Sequence, residues 1–188
     1  MHQPIRILDH EHRIIERILR ALEGLCTRLV RGENPPAAAF LQIIDFFRTF
    51  ADSCHHQKEE KYLFPVLEQH GVPRVGGPVG VMLYEHEMGR RFVADLASAV
   101  AAYEKGDPSA RAAIVENGRG YIRHLAEHIN KEDNILYKMA EDMFDDATWT
   151  ALLAAFEKTE ESVGACTHEK CERQAAELEN SWALLASK

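Results

Sequence analysis

Two segments of this 188-residue chain repeat one pattern of metal-ligating side chains. The first reads His55-His56-Gln57-Lys58-Glu59-Glu60-Lys61-Tyr62-Leu63-Phe64, and the second His128-Ile129-Asn130-Lys131-Glu132-Asp133-Asn134-Ile135-Leu136-Tyr137. Both have His first, Lys-Glu fourth and fifth, an acid sixth, and Leu then an aromatic ninth and tenth, at an offset of 73 residues. Two further histidines follow a glutamate, in Glu11-His12 and Glu85-His86, at an offset of 74. Residues four apart share one helix face, displaced by about 6 Å along the axis. An imidazole and a carboxylate so placed can reach one metal ion, or two adjacent ones. Two such pairs facing one another, with two more histidines, supply six donors. A buried carboxylate without a charge partner is expensive, so a cation is expected between them. A lone His-x-x-x-Glu says little, because both residues are common on solvated helix faces. Two in register, with matched Glu-His elements, point to metal.

The elements that must position these residues are helices. Ala, Leu, Glu and Arg dominate, and no useful strand candidate occurs. A first helix begins near Pro4, carries Ile7, Leu8, Ile14, Ile15, Ile18, Leu19 and Leu22 at core spacing, and ends near Gly32. Asn34-Pro35-Pro36 reads as the next start, with Asn34 as N-cap. That second helix runs to about His70, with Pro65 predicting a kink or early stop. A third helix spans about Pro78 to Lys105, where Gly106 stops it and Asp107-Pro108 caps the fourth. The fourth reaches about Phe144, weakened locally by Gly118 and Gly120. The expected fold is all-α: an antiparallel up-down-up-down four-helix bundle over residues 1–145, with a C-terminal helical extension, residues 146–188, packed on it. The chain thus reads as two hairpins of one design. Each contributes a His from its first helix and a His-x-x-x-Glu pair from its second.

Other residues compete for the same roles. His56 with Glu60 is the alternative to His55 with Glu59; the repeat favours the latter, because His56 matches Ile129. His124 lies one turn before His128 but matches Ala51. Tyr62, Tyr84, Tyr121 and Tyr137 are expected to fill core space, with a hydroxyl available to a bridging carboxylate. Cys166, His168 and Cys171 resemble part of a zinc site that lacks a fourth ligand, and are read as ordinary helix residues. Cys26 and Cys54 are expected as free thiols.

A net charge of -8 and the absence of a Lys/Arg cluster argue against nucleic acid and anionic membranes as partners. No eighteen-residue apolar run occurs, and the first residues lack a signal-like apolar stretch, so a cytoplasmic location is expected.

The combined motifs resemble the hemerythrin-like, or HHE cation-binding, proteins. The resemblance rests on Glu11-His12, on Cys54-His55-His56-Gln57-Lys58-Glu59-Glu60 with Leu63-Phe64-Pro65, on Gly76-Gly77-Pro78 leading to Glu85-His86-Glu87, and on His128-Ile129-Asn130-Lys131-Glu132-Asp133. It covers about residues 5 to 140. It implies a non-haem di-iron centre with His12, His55, Glu59, His86, His128 and Glu132 as ligands, the two glutamates bridging. Other divalent metals suit the same donors. The implied function is binding or sensing dioxygen, peroxide or nitric oxide. A peroxide-removing or nitric-oxide-reducing enzyme with a separate redox partner, or a metal storage or delivery protein, are the alternatives. One departure stands out. Oxygen-carrying hemerythrins place two histidines one turn apart on the third helix, whereas His86 here is flanked at that spacing by Met82 and Arg90. Four histidines then serve where the carriers use five, and dedicated reversible oxygen carriage is not expected.

Overall fold

In the computed structural model the described residues are 1–163, 172–173 and 175–178. They form helices joined by short connections. The first helix is Gln3–Val30. The second occupies residues 37–69, the third Pro78–Glu104, the fourth residues 110–143 and the fifth Asp146–Val163. First and second, second and third, third and fourth, and fourth and first are all in contact, which closes the antiparallel bundle. The expected all-α bundle with an added C-terminal helix is therefore the observed one.

The helix ends follow from local chemistry. Gly32 (φ 82°) and Gly106 (φ 78°) terminate the first and third helices in the left-handed conformation that suits glycine. In each, the next amide reaches back five residues, Glu33 to the Arg28 carbonyl (3.0 Å) and Asp107 to that of Ala102 (3.1 Å). Two helix starts differ from the sequence reading. The second helix begins at Ala37 after Pro36, without a side-chain cap, because Asn34 instead accepts from Arg111. The fourth begins at Ala110; Asp107 accepts from the Ser109 amide (2.8 Å) and hydroxyl (2.7 Å), organising the turn before it. Pro65 does not stop the second helix, which continues to Gln69.

The core has two apolar layers with a polar layer between them. One contains Ile15, Ile18, Leu22, Phe47, Cys54, Val93, Leu125 and Ile129. The other contains Ile5, Leu8, Leu63, Phe64, Met82, Leu136 and Tyr137, together with Trp149, Leu152 and Phe156 of the fifth helix. On every bundle helix the His or Glu of the repeated motif falls at the junction of the two layers, as with His12 between Leu8 and Ile15.

Both motif-bearing helices widen at the same point. The second winds as a π-helix over Phe47–His56 and Glu59–Leu63, and the fourth over Glu132–Leu136. The carbonyls of Glu59 and Glu132 each accept from an amide five residues on, those of Phe64 and Tyr137. Pro65 is not the cause, because its counterpart in the fourth helix is Lys138. π-turns inside α-helices commonly mark functional sites.

Candidate metal centre

All six residues that the motifs single out meet in the polar layer. His12, His55, Glu59, His86, His128 and Glu132 are each at most 1% exposed. The imidazoles form two pairs. His12 and His55 bring their Nε2 atoms to 3.0 Å, and His86 and His128 to 3.1 Å. The carboxylates lie between the pairs. Glu132 sets Oε2 3.2 Å from His12 Nε2 and Oε1 3.2 Å from His128 Nε2. Glu59 sets Oε2 3.6 Å from His55 Nε2 and 3.5 Å from His86 Nε2.

A carboxylate on the outer side of each ring fixes it. The His12 Nδ1–H donates to Asp133 (2.7 Å), His55 to Glu11 (2.9 Å), His86 to Glu60 (2.7 Å) and His128 to Glu85 (3.0 Å). With the proton held on Nδ1, Nε2 is left as a lone pair aimed inward. Lys58 in turn donates to Glu11, Lys131 to Glu85 and Arg13 to Asp133, while Arg90 donates to Glu60 (2.7 Å). The repeat thus extends outward. The acid before each lone histidine holds the histidine of its hairpin partner, and the acid after each motif glutamate holds the lone histidine of the other hairpin. Adjacent residues point about 100° apart on a helix, so Glu11 cannot serve His12 and must serve a neighbouring helix. The doublets Glu11-His12, Glu85-His86, Glu59-Glu60 and Glu132-Asp133 are the sequence signal for these outer carboxylates.

The donor set fits metal binding. Glu59 Oε2 and both oxygens of Glu132 are buried and have no hydrogen-bond partner among the described residues. Imidazole nitrogens paired at 3.0 and 3.1 Å need a proton or a cation between them. Two nitrogens bound at right angles to one metal at about 2.1 Å would stand about 3.0 Å apart. Electrostatics agree. Burial, reinforced by the charge of Glu132, pushes the Glu59 carboxyl well above the usual carboxylate range. Burial opposes charge on His128, yet Glu132 and Glu85 outweigh it and raise the imidazole to about 9. Burial prevails at His55 and lowers it to about 4.

The halves differ at a few positions. Tyr137 donates its hydroxyl to Glu59 Oε1 (2.7 Å) and stacks on His12, whereas its counterpart Phe64 stacks on His86 without a hydroxyl. Tyr137 is thus the tyrosine that meets a motif carboxylate. Tyr84 is exposed and Tyr121 is buried in the apolar layer. His124 meets the Glu85 carbonyl (2.8 Å). His56, which matches Ile129, is buried beside the site, its ring face to face with His86 at 3.8 Å. Its ligating atom lies within 4.8 Å of those of His86 and His128. Cys26 and Cys54 are buried free thiols. Cys166, His168 and Cys171 lie outside the described residues.

A family model for the hemerythrin HHE cation binding domain matches residues 3–140. An uncharacterized protein of Mycobacterium tuberculosis is 28% identical over 153 residues, covering 81% of this chain and 59% of its own. The chain thus spans less than two thirds of that relative's length. An iron-sulfur cluster repair protein of Pectobacterium atrosepticum is 33% identical over 91 residues, or 47% of this chain and 41% of its own. One of Edwardsiella ictaluri is 33% identical over 103 residues, or 52% and 44%. No solved structure gives a significant match.

Proposed function

The chain belongs to the hemerythrin HHE cation-binding family, and on that premise we propose that it holds two iron ions and presents them to a small ligand such as dioxygen, peroxide or nitric oxide. Glu132 carries this reading: its two oxygens lie against different histidine pairs, one on His12 and the other on His128. In the proposed arrangement His12 and His55 serve one metal, His86 and His128 the other, and Glu59 and Glu132 join them. Imidazole and carboxylate donors suit iron, which supplies one-electron chemistry and open positions for ligands.

The protein's own contribution is orientation and exclusion. Asp133, Glu11, Glu60 and Glu85 fix the four rings before metal arrives, so little ordering remains to be done on binding. Tyr137 holds one oxygen of Glu59 and leaves the other to face the histidines. The apolar layers above and below keep bulk water from the carboxylates.

A second reading is iron delivery, favoured by the likeness to the iron–sulfur cluster repair proteins of Pectobacterium and Edwardsiella. One experiment addresses both readings. The protein is loaded anaerobically with ferrous iron, exposed to oxygen, and followed by absorption. With Met82 and Arg90 where carriers have a further histidine, the expected result is oxidation that deoxygenation does not reverse, with the iron retained. Repeated oxygenation without loss of ferrous iron would reveal a carrier. Release of the iron to a competing apo-protein would favour delivery.

A further inference from the structure

The two hairpins match closely around the six inward residues but diverge on one flank. A cleft of about 230 Å³ opens between the second and third helices, lined by Phe47, Asp52, His56, Gly89, Arg90 and Val93 among others. Under the repeat, Asp52 corresponds to Leu125, His56 to Ile129, Gly89 to Ile15 and Val93 to Leu19. Those four counterparts are packed core residues, none more than 4% exposed. One flank of the centre is therefore closed by aliphatic side chains, and the other is an open cleft, largely apolar, with Asp52, His56 and Arg90 set in its wall.

His56 is the inner wall of this cleft. It is 5% exposed, and one imidazole thickness, 3.8 Å, separates it from His86. Among the described residues its one hydrogen bond runs from Nδ1 to Asp52 (3.4 Å). Face-to-face stacking on His86 does not suit two imidazoles bound side by side on one metal, whose rings diverge from it. A buried polar ring with spare hydrogen-bonding capacity, where the repeat has isoleucine, needs a reason.

The cleft's charge and size narrow its occupant. Arg48 and Arg90 line it beside one acid, Asp52; Arg90 is held by Asp52 at 2.8 and 2.9 Å and by Glu60, behind the wall, at 2.7 Å, while Arg48 stands exposed at the rim. At about 230 Å³ it lies below the range of about 300 to 1,000 Å³ for organic-ligand pockets.

We propose that this cleft is the one-sided entry site for a small anion approaching the metal centre, and that His56 is a positioning residue that hydrogen-bonds it beside the His86–His128 pair. The inference rests on the dimetal reading above. It assigns to His56 a role other than metal ligation.

Azide is the probe. Iron-loaded protein is titrated with azide and followed by absorption, with bound iron measured for every variant. His56→Leu should retain its iron and bind azide about tenfold more weakly, the loss of one hydrogen bond to a charged group. Ala94→Trp places a bulky ring at an exposed position on the cleft wall. It should slow azide association severalfold, whereas Arg20→Trp, the matching exposed position on the first helix, should not. Loss of iron from His56→Leu would make His56 a ligand and overturn the proposal. So would azide binding by loaded His56→Leu and Ala94→Trp at wild-type affinity and rate. If His56→Leu fails to fold, Ala94→Trp against Arg20→Trp still decides the route. Wild-type protein that takes up no iron would instead sink the underlying dimetal reading.

Discussion

At the scale of single residues, the centre is a set of charges whose balance changes when metal enters. His12 feels opposing effects: burial disfavours its charged form, but Asp133 and Glu132 outweigh burial and raise it. His128 is raised to about 9 and the Glu59 carboxyl is raised well above its usual range. All three groups hold a proton more tightly than the free side chain does, and binding must displace any proton they carry, because only neutral imidazole and ionised carboxylate act as ligands. The sign follows directly. Raised groups release their protons more readily as pH rises, so metal affinity should strengthen from about pH 6 to about pH 8 and weaken on acidification. The check is proton release on loading in weakly buffered solution, alongside chelator competition across that range. Affinity independent of pH, with no proton released, would contradict the assignment of these groups to the site.

At the scale of elements, helix period and repeat made most of the bundle legible. The apolar spacing of the first helix, the glycine stops at Gly32 and Gly106, and the 73-residue register placed the four bundle helices and brought the six inward residues to one level. What escaped has physical causes. The π-turns at Glu59 and Glu132 are choices of winding that side-chain type alone does not encode, and Pro65, the visible irregularity, is unrelated to them. The caps moved because Asn34 and Asp107 found other partners. The cleft was invisible because it depends on what Gly89 and Asp52 leave unfilled. Gly118 and Gly120 also read differently in three dimensions. A Cβ on Gly118 would meet the Sγ of buried Cys26 at 2.8 Å, and one on Gly120 would meet Phe92 at 2.7 Å. These glycines let the fourth helix approach its neighbours. Alanine at position 118 gains about 1 kcal/mol in helix propensity but overpacks the seam with the first helix, at a cost of about 1 to 3 kcal/mol. Gly118→Ala should therefore destabilise the fold in chemical denaturation, and adding Cys26→Ala should relieve it. Stabilisation by Gly118→Ala alone would show that the helices do not approach so closely.

At the scale of the whole molecule, the near-twofold symmetry of the two hairpins is broken by what surrounds them. The fifth helix packs on the first and second helices. It covers the Lys58–Glu11 pair, both residues 0% exposed, with Phe156 6.0 Å from the Lys58 ammonium. The corresponding Lys131–Glu85 pair stays partly open, Lys131 being 35% exposed. The His12–His55 side is thus enclosed, while the His86–His128 side borders the cleft, so the two proposed metal positions differ in surroundings despite matched donors. No helix among the described residues is long and apolar enough to cross a membrane. The proposed centre depends on two metals sharing Glu132. The most direct measurement is bound iron per chain after anaerobic loading, in wild-type protein and in Glu132→Ala, with circular dichroism confirming that both are folded. Wild-type protein should hold about two irons and the variant should lose both together, because one carboxylate joins both histidine pairs. A wild-type stoichiometry of one, or a folded Glu132→Ala that keeps two irons, would contradict it.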